Sequence, residues 1–557
     1  MATLSRSLPR LAALASGALI LSTLGCTPTD PKDPKTWEAR LSESDAHKRS
    51  EAIQALRKMR AKEAAPQIAP LLKDPLVRDD AALALGDLGG PEQVQPLLDA
   101  LDTTVGAGSD QVTRNANRTN LKIADALGLI ASPNDAKACP ALLRLARAKD
   151  DLVRLSAVQS LGLLRCKEAG AELSRMVDDA SVPPILIKKA VVALGQIGDA
   201  AAIPALEHAL VLEKQGVSFL PESSFALFLI GQPSVAPMMQ LLTDADPAWL
   251  KWAKENNRSN AGTYAKAEIV LGDLGDKGAI PALMAKLGYV DPDPLPDTSR
   301  ILTGVVRQFA ADALGRMRVQ EAAAKIAALP KAEEPADEDL ASFSANALVW
   351  IGDRAQAKTL LKTAQKGAVR PRLALAQGAA LLGDASLQKD IEAMAAAERK
   401  GATADCVKSA MAITGAPVAD EKTACGKVGD AFAALEAPLA AAQACSAGDA
   451  AAQAGCWSGK LADASGLVRA RAAYELGRLG QASSVSALLK GCADQDLVAR
   501  LAAIRSVEWF LAAPAAQAEL KAAAPQLAAQ LASEQGKLQF IKVDEELKRL
   551  QVKLARL

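Results

Sequence analysis

Cysteine and histidine are the residues of this chain most suited to metal or redox chemistry, and their spacing argues against a metal site. The 557 residues include eight cysteines and two histidines. No cysteines stand in a C-x-x-C spacing, and His47 and His208 lie 161 residues apart. Zinc and iron sites need several such ligands brought close together. We therefore expect no metal site built from cysteine and histidine, and no cofactor.

Motifs for nucleophilic or phosphate chemistry are also missing from the sequence. It contains neither a G-x-S-x-G turn nor a G-x-x-x-x-G-K-S/T loop. Acidic residues are plentiful, and Asp at helix ends and turns usually caps a helix rather than binding calcium. Examples are Asp273, Asp276, Asp291, Asp293 and Asp297. The sequence thus predicts no catalytic residue.

The charge balance argues against a nucleic-acid partner. The formal net charge is +1 and aromatic residues make up 3% of the chain. Nucleic-acid binders normally carry a basic excess or a basic stripe. Few aromatic residues suit thin helical layers packed through small side chains.

The first 25 residues have the layout of an export signal. Arg6 and Arg10 precede an uncharged run over residues 11–25, and fifteen residues are too few to span a bilayer comfortably. The next residues, Thr23-Leu24-Gly25-Cys26, resemble the lipobox of bacterial lipoproteins. We predict a lipoprotein signal peptide over residues 1–25 and an extended, proline-rich tether over residues 26–36.

The lipobox resemblance implies a bacterial envelope protein whose Cys26 thiol is diacylated and holds the chain in a membrane. Thr27, rather than Asp, follows the cysteine. By resemblance to the enterobacterial sorting rule, this favours the outer membrane, on either its periplasmic or its surface face. The alternative is an ordinary signal peptide followed by an incidental cysteine.

The seven other cysteines would then occupy a compartment that permits disulfides. Two pairs are local in sequence, a third can meet across one repeat step, and Cys492 is left over. The predicted pairs are Cys406 with Cys425, Cys445 with Cys456, and Cys139 with Cys166. The alternative is a set of small buried thiols.

These residues must be positioned by a repeated helical hairpin. Residues 74–102 read as two short helices joined at Gly89 and Gly90, each with one apolar stripe that it cannot bury alone. The same pattern returns at residues 264–287 and 468–489. Such recurrence indicates a solenoid in which each hairpin packs on its neighbours.

The sequence pattern of the repeat resembles that of HEAT units, including the short bacterial subclass first described in phycobilisome lyases. First helices read V-R-x-x-A-x-x-A-L-G-x-L-G, and A-I-P-A-L opens the second helix at residues 202–206 and 279–283. A glycine near the end of the first helix recurs every 31 to 43 residues, at Gly86, Gly128, Gly162, Gly195, Gly231, Gly272, Gly315, Gly352 and Gly383. The resemblance implies an all-α, right-handed α-solenoid of stacked helical hairpins of the HEAT or armadillo type.

The strength of the repeat pattern divides the body of the chain. We predict a HEAT-repeat array over residues 37–394 and a degenerate, cysteine-containing region over residues 395–460. C-terminal HEAT repeats and a capping helix follow over residues 461–557. Charged residues alternate with leucines after residue 537, which predicts a capping helix with one face in water.

Three inter-repeat insertions, over residues 103–120, 243–263 and 288–300, are expected on one edge of the solenoid. Two contain nearly the same phrase, Asn117-Arg118-Thr119-Asn120 and Asn257-Arg258-Ser259-Asn260. The Asn and Arg residues of these phrases are candidate partner-binding residues, and the alternative is that the phrases cap the following helices. Trp249 and Trp252 share a helix face and either anchor a partner or pack the second insertion onto its neighbour.

We expect a lipid-anchored scaffold of the cell envelope that binds other envelope proteins through its concave face and these insertions, and that is not an enzyme. One alternative is a lyase or other enzyme of the phycobilisome-lyase class, and another is a purely structural envelope spacer. Deoxyhypusine hydroxylase also resembles this fold and holds di-iron with repeated His-Glu pairs. Neither histidine here precedes a Glu, so that activity is not transferred.

Overall fold

The computed structural model describes residues 30–102, 110–333, 337–401, 406–418, 420–534 and 541–557. The predicted signal peptide and Cys26 lie outside the described residues. The chain divides into unit 1, Met1–Ala131, and unit 2, Ser132–Leu557. Each unit is built from helical hairpins, and the predicted all-α solenoid of stacked hairpins is confirmed.

The described part of unit 1 contains six α-helices. They are α1 (Pro34–Arg40), α2 (Ala46–Met59), α3 (Ala65–Ile68), α4 (Arg78–Leu88), α5 (Val94–Asp99) and α6 (Gln111–Ile130). The predicted tether is wrong at its end, because Asp33 caps α1 and accepts a hydrogen bond from the Lys35 amide at 3.0 Å. The helical body therefore begins at Pro34.

Unit 2 continues the hairpins as far as residue 382. These helices are α7 (Ala138–Leu145), α8 (Asp151–Leu163), α9 (Gly170–Asp178), α10 (Pro184–Ile197), α11 (Ile203–Val211), α12 (Leu220–Ile230), α13 (Val235–Leu242), α14 (Pro247–Glu255), α15 (Asn260–Leu274), α16 (Ile280–Lys286), α17 (Pro296–Arg316), α18 (Ala323–Ala327), α19 (Glu338–Ile351), α20 (Gln356–Thr363) and α21 (Val369–Leu382). The second insertion thus contains a helix of its own, α14, and the third already includes the start of α17.

The remaining helices of unit 2 include the predicted degenerate region and the last repeats. They are α22 (Gln388–Arg399), α23 (Cys406–Thr414), α24 (Glu421–Ala433), α25 (Glu436–Ala444), α26 (Ala450–Lys460), α27 (Gly466–Leu479), α28 (Val485–Gly491), α29 (Leu497–Phe510), α30 (Pro514–Glu534) and α31 (Ile541–Ala555). A short antiparallel hairpin, β1 (Glu213–Lys214) and β2 (Val217–Ser218), also lies in unit 2, with Glu213 paired to Ser218.

Nine hairpins of the described chain turn through a one-turn 3₁₀ segment. In the α15–α16 hairpin, Gly275 ends α15 at φ 68°, and Asp276 caps the 3₁₀ segment before α16. A proline in the first turn of α16 follows, at a position that needs no amide donor. Residues 62–64, 91–93, 167–169, 200–202, 232–234, 277–279, 320–322, 385–387 and 482–484 form such segments, and residues 69–73 form a longer one.

The first helices of successive repeats approach each other closely because glycine faces alanine. A Cβ built on Gly315 would lie 2.6 Å from the Cα of Ala347, and one on Gly195 would lie 2.7 Å from the Cα of Ala226. Two other members of the predicted glycine series differ. Gly231 and Gly352 follow the last residues of α12 and α19 with φ values of 85° and 84°, so they terminate helices instead of spacing them.

Among the described residues, no single helix passes the length and hydropathy test for a membrane span. One bent pair, Leu220–Ile230 with Gln232–Leu242, passes it jointly with a bend of 118°.

Helix α17 offers a matched test of the glycine contact. Gly315→Ala should destabilise the fold by about 1 to 3 kcal/mol, because the added methyl group overlaps the backbone of Ala347. Gly304→Ala lies in the same helix, and its methyl group would meet no described atom within 4 Å. It should stabilise the helix by about 0.5 to 1 kcal/mol. Urea unfolding followed by circular dichroism measures both, and equal effects would contradict the packing account.

Candidate binding surface

Unit 2 folds back on itself, so that two sets of first helices meet face to face. We call α10–α21 the middle arm and α27–α31 the C-terminal arm. Helix α27 contacts α19 and α21, α29 contacts α17 and α19, and α31 contacts α12, α15 and α17. The C-terminal arm therefore runs back along the middle arm in the opposite order.

The reversal takes place in α22–α26, the region where the sequence repeat is weakest. Two disulfides lie there, Cys406–Cys425 and Cys445–Cys456, with Cα–Cα distances of 5.0 and 5.5 Å. A third, Cys139–Cys166, joins neighbouring hairpins earlier in unit 2. The structure thus forms all three predicted pairs. Cys492 is the free cysteine of the described part, and burial raises the pKa of its thiol to about 12.

The residues at the contact occupy fixed positions of the repeat. Asp273 and Arg316 directly follow the helix-spacing glycines Gly272 and Gly315, and Asp312 lies three residues before Gly315. We call the surface that these positions form on the first helices the inner face. The concave binding face that the sequence predicts stays a prediction.

A buried network of charges joins the inner face of the middle arm to the C-terminal arm. Arg549 of α31 donates to Asp273 at 2.6 Å, and Glu546 accepts from Arg316 at 2.7 Å. Arg316 also bonds to Asp273 at 2.8 Å and to Asp312 at 2.6 Å. The network extends within the C-terminal arm through Arg505, which contacts Glu546 at 3.0 Å.

Charge neutrality makes burial of this network tolerable. Four acids, Asp273, Asp312, Glu508 and Glu546, face four bases, Arg316, Arg505, Arg549 and Lys553. Burial opposes the charged form of Glu546, but the guanidinium groups of Arg316 and Arg505 outweigh it and hold its pKa well below its ordinary value. A buried ion that loses its partner is strongly destabilising, so these pairs select one register of the two arms.

Aromatic and charged side chains form the other end of the contact, where α27 and α29 meet α19. Trp350 donates from Nε1 to the Tyr474 hydroxyl at 3.2 Å, and the Arg505 guanidinium lies 5.0 Å from the centre of the Trp350 ring. Arg354 reaches across to Glu475 at 3.0 Å. Burial disfavours the charged Glu475 carboxylate, yet Arg478 and Arg471 beside it lower its pKa to about 2.

The predicted capping helix forms, with Lys548 and Arg556 exposed, but part of its charged surface is buried. Glu546 and Arg549 of α31 are only 5% and 4% exposed. Leu547, Leu550 and Leu554 are buried as well. The charged stripe is covered because it faces complementary charges of repeats that lie more than 200 residues earlier in the sequence.

Beyond α31, the inner face continues as an exposed apolar strip on α8 and α10. Leu163 and Val192 occupy the same repeat positions as Arg316 and Asp312, but they are 44% and 38% exposed. Leu152 and Ile185 lie one above the other, ten residues before Gly162 and Gly195, and are 63% and 57% exposed. We call these four residues the inner-face strip.

A crevice of about 280 Å³ connects the strip to the arm contact. Val192, Gln196 and Phe225 line it from the middle arm, and Glu545 and Lys548 line it from α31. Partner-binding surfaces commonly combine an apolar centre with a polar rim. The strip and the crevice together have this composition.

The first Asn-Arg phrase lies within a helix, so it is neither a loop nor a cap. Helix α6 begins at Gln111 and is capped by Asp110. Asn120 is buried and bonds to both backbone groups of Asp102, at 3.0 and 2.8 Å. Arg118 is exposed and pairs with Asp79, whereas Asn117 is half-buried. The capping interpretation is wrong here because the helix starts earlier than the sequence suggests.

The second phrase does form a helix start, through its serine. Ser259 is the N-cap of α15 and accepts from the Gly262 amide at 3.3 Å. Arg258 donates to the Val211 carbonyl at 3.3 Å, while Asn257 and Asn260 are exposed. The two similar phrases therefore have different structural roles.

The two tryptophans of the second insertion pack against the preceding repeat. Trp252 stacks on His208 with ring centroids 4.0 Å apart and planes inclined by 12°. Trp249 is 5% exposed and lies 5.1 Å from Trp252, centroid to centroid. His208 is in turn held by Asp178 at 2.8 Å. In this structure, Trp249 attaches α14 to α11, and only Trp252 retains a half-exposed surface.

In the described part of the chain, no group of three or more His, Cys, Asp or Glu side chains is arranged to hold a metal ion. Asp291, one of the aspartates considered for calcium, instead accepts hydrogen bonds from the Tyr289 hydroxyl and the Asp293 amide.

Sequence comparison now defines the class of protein. The family profile of the HEAT repeats matches residues 34–116, and that of the PBS lyase HEAT-like repeat matches residues 188–211. The chain therefore contains HEAT-type repeats in these two stretches.

Particular relatives are distant. Deoxyhypusine hydroxylase-B of Oryza sativa subsp. japonica is 27% identical over 240 residues, which are 35% of this chain and 76% of that protein. A crystal structure of importin β covers 92% of this chain and 71% of its own, with 12% identity and a TM-score of 0.40. The complex of CpcE and CpcF of phycocyanin lyase from a Nostoc species covers 68% of this chain and 100% of its own, with 20% identity and a TM-score of 0.22.

The lowered pKa of Glu475 predicts a pH dependence of stability. Its value in the fold is about 2, against an ordinary value of 4.5. A lowered acid pKa stabilises the fold fully above its ordinary value, and the contribution is lost as the pH falls through about 4.5 toward 2. The difference in free energy of unfolding between the native protein and Glu475→Gln should be constant near neutral pH and shrink below about pH 4.5. Urea titrations across this range measure it, and a constant difference down to about pH 3 would contradict the assignment.

Proposed function

We propose that this chain is a lipid-anchored HEAT-repeat scaffold of the cell envelope that binds another protein. The inner-face strip, Leu152, Leu163, Ile185 and Val192, carries this proposal. Exposed apolar residues that form one surface with polar neighbours are typical of protein-binding sites. Leu163 and Val192 occupy repeat positions that, four and three repeats later, carry Arg316 and Asp312 of the buried charge network.

The insertion edge adds the candidate residues that remain accessible. Arg118, Asn257 and Asn260 are exposed, and Trp252 is half-exposed. These positions remain predictions of the sequence. The enzyme alternative has less support, because the two histidines of the chain are far apart and the described residues contain no metal-binding cluster.

Membrane attachment through Cys26 supplies the location of the scaffold. The motivation is the sequence around Cys26, where a basic start and an apolar run precede Leu24-Gly25-Cys26. Two or more acyl chains give stable membrane binding, since each buried methylene contributes about 0.8 kcal/mol. The envelope would keep the scaffold next to its partner.

The anchoring proposal predicts a change of fraction for Cys26→Ser. In the bacterial host, the native chain should incorporate radiolabelled palmitate and sediment with membranes. The serine variant should do neither, because it has no thiol to acylate. A native chain found without label in the soluble periplasmic fraction would contradict anchoring, whether or not the scaffold binds a partner.

The binding proposal predicts that charge on the strip abolishes partner retention. Crosslinking in native envelopes followed by purification and mass spectrometry should identify a partner crosslinked to α8 or α10. The Leu163→Glu/Val192→Glu double variant should retain that partner at least about tenfold less, since burying two carboxylates on an apolar surface is costly. Leu76→Glu is the control, because Leu76 is 74% exposed and lies in unit 1. Equal retention by all three proteins would overturn the assignment.

A further inference from the structure

The inner face of the middle arm receives arginine at one repeated place, the C-terminal end of a first helix. Arg556 donates to the Leu229 carbonyl of α12 at 2.8 Å, and Arg478 donates to the Val349 carbonyl of α19 at 2.8 Å. Arg471 donates to the Ala380 carbonyl of α21 at 3.1 Å. Each carbonyl belongs to the last three residues of its helix. Such carbonyls lack an intrahelical partner and carry the negative end of the helix dipole, so they favour a cation.

Aromatic rings lie close to the guanidinium groups of Arg549 and Arg556 in α31. Phe225 lies 5.9 Å from the Arg549 guanidinium, and Phe228 lies 5.4 Å from that of Arg556, measured to the ring centres. Arg549 is also paired with Asp273 at 2.6 Å. A carbonyl or carboxylate combined with an aromatic face suits the planar guanidinium better than the compact ammonium of lysine.

Glycine leaves the room that arginine needs. Gly352, which ends α19, has a φ of 84°, and a Cβ built there would lie 3.0 Å from the Cδ of Arg478. Gly231, which ends α12, has a φ of 85° and would place its Cβ 4.0 Å from Nη1 of Arg556. The helix-ending glycines thus terminate the helix and, at Gly352, keep the carbonyl end open to a guanidinium.

The occupant of this face, α31, presents its polar residues at helical spacing. Glu546, Arg549, Lys553 and Arg556 are three, four and three residues apart, so they form one stripe of the helix. Leu547, Leu550 and Leu554 form the adjoining stripe and are buried. The inner face of α12, α15 and α17 therefore binds an amphipathic helix that carries two arginines seven residues apart.

We propose that this inner face is a receptor surface for such a helix, that α31 occupies it in cis, and that a partner's helix with the same arginine spacing replaces α31. The proposal deepens the protein-binding function and rests on it, but it is independent of export and acylation. A second copy of the chain or a small cation in place of a helix would be a different outcome of the test below.

Exchange at the middle arm is favoured because α31 meets it through ion pairs, Arg549 with Asp273 and Glu546 with Arg316. Buried ion pairs gain little net stability over the desolvation that they require, and a competing helix with the same charges recreates the same pairs. The tethered α31 competes at an effective concentration of about millimolar. A partner helix overcomes this advantage by also covering the inner-face strip, which adjoins α31 at the crevice lined by Val192 and Glu545.

A fluorescent peptide of residues 541–557 tests the receptor surface on the full chain. In the Arg549→Glu/Arg556→Glu variant, the native α31 should leave, because Glu at position 549 would face Asp273. Fluorescence anisotropy should then show the peptide binding to this variant at least about tenfold more tightly than to the native chain. A peptide in which both arginines are replaced by glutamine should bind neither protein. Arg147→Glu, which breaks an exposed ion pair away from the arms, should behave as the native chain.

Arg556→Gln is a second variant that tests the same surface if the double variant misfolds. Arg556 is exposed, and its replacement removes one hydrogen bond to a carbonyl. It should bind the peptide with intermediate affinity. The proposal is overturned if the peptide binds no variant, if it binds native and variant chains equally, or if the glutamine peptide binds as well as the native sequence. It is also overturned if free arginine displaces the bound peptide at about 0.1 M, a concentration at which any salt screens exposed charges. Loss of partner retention in the strip variants with no peptide binding would leave the scaffold function standing without this receptor surface.

Discussion

None of the described hairpins covers its own apolar stripe, and the other features of the fold depend on that constraint. The hairpins are short, few aromatic residues are available, and the buried residues are mainly alanine, leucine and valine. Burial is achieved when first helices approach so closely that Gly315 faces the backbone of Ala347 and Gly195 that of Ala226. Packing of this kind is additive along the array, since each repeat is stabilised by its neighbours. It also leaves one face of the first helices without an apolar partner.

Unit 2 covers part of that face with charges and leaves part of it apolar. Where α31 lies on the middle arm, the exposed positions of the repeat carry Asp273, Asp312 and Arg316, which need partners once they are buried. Three repeats before Asp312 and four before Arg316, the same positions carry Val192 and Leu163 and remain exposed. The side chain at a fixed repeat position thus decides whether the surface is closed by the chain itself or offered to a partner.

The sequence predicts the repeat far better than the surfaces. Period, caps and helix type follow from local patterns such as the A-I-P-A-L phrase, and the three disulfide pairs follow from cysteine positions on neighbouring helices. The Asn-Arg phrases show the limit, because Asn120 is buried inside α6 while Ser259 caps α15. The two sequences are nearly identical, but α6 begins at Gln111, before its segment, whereas α15 begins at Asn260, the last residue of its segment. The complementary charges of Arg316 and Glu546 are present in the sequence, but local patterns do not connect two residues that lie 230 positions apart.

By itself, the sequence determined the class of fold and the hairpin period and predicted a leader, because each depends on residues close together in the chain. Only the tertiary structure decided that the C-terminal arm turns back, that Glu546 and Arg549 of α31 are buried and that the apolar strip begins where α31 ends. These outcomes depend on contacts across hundreds of residues. Their energies come from desolvation and charge pairing, which exist only after the two arms have met.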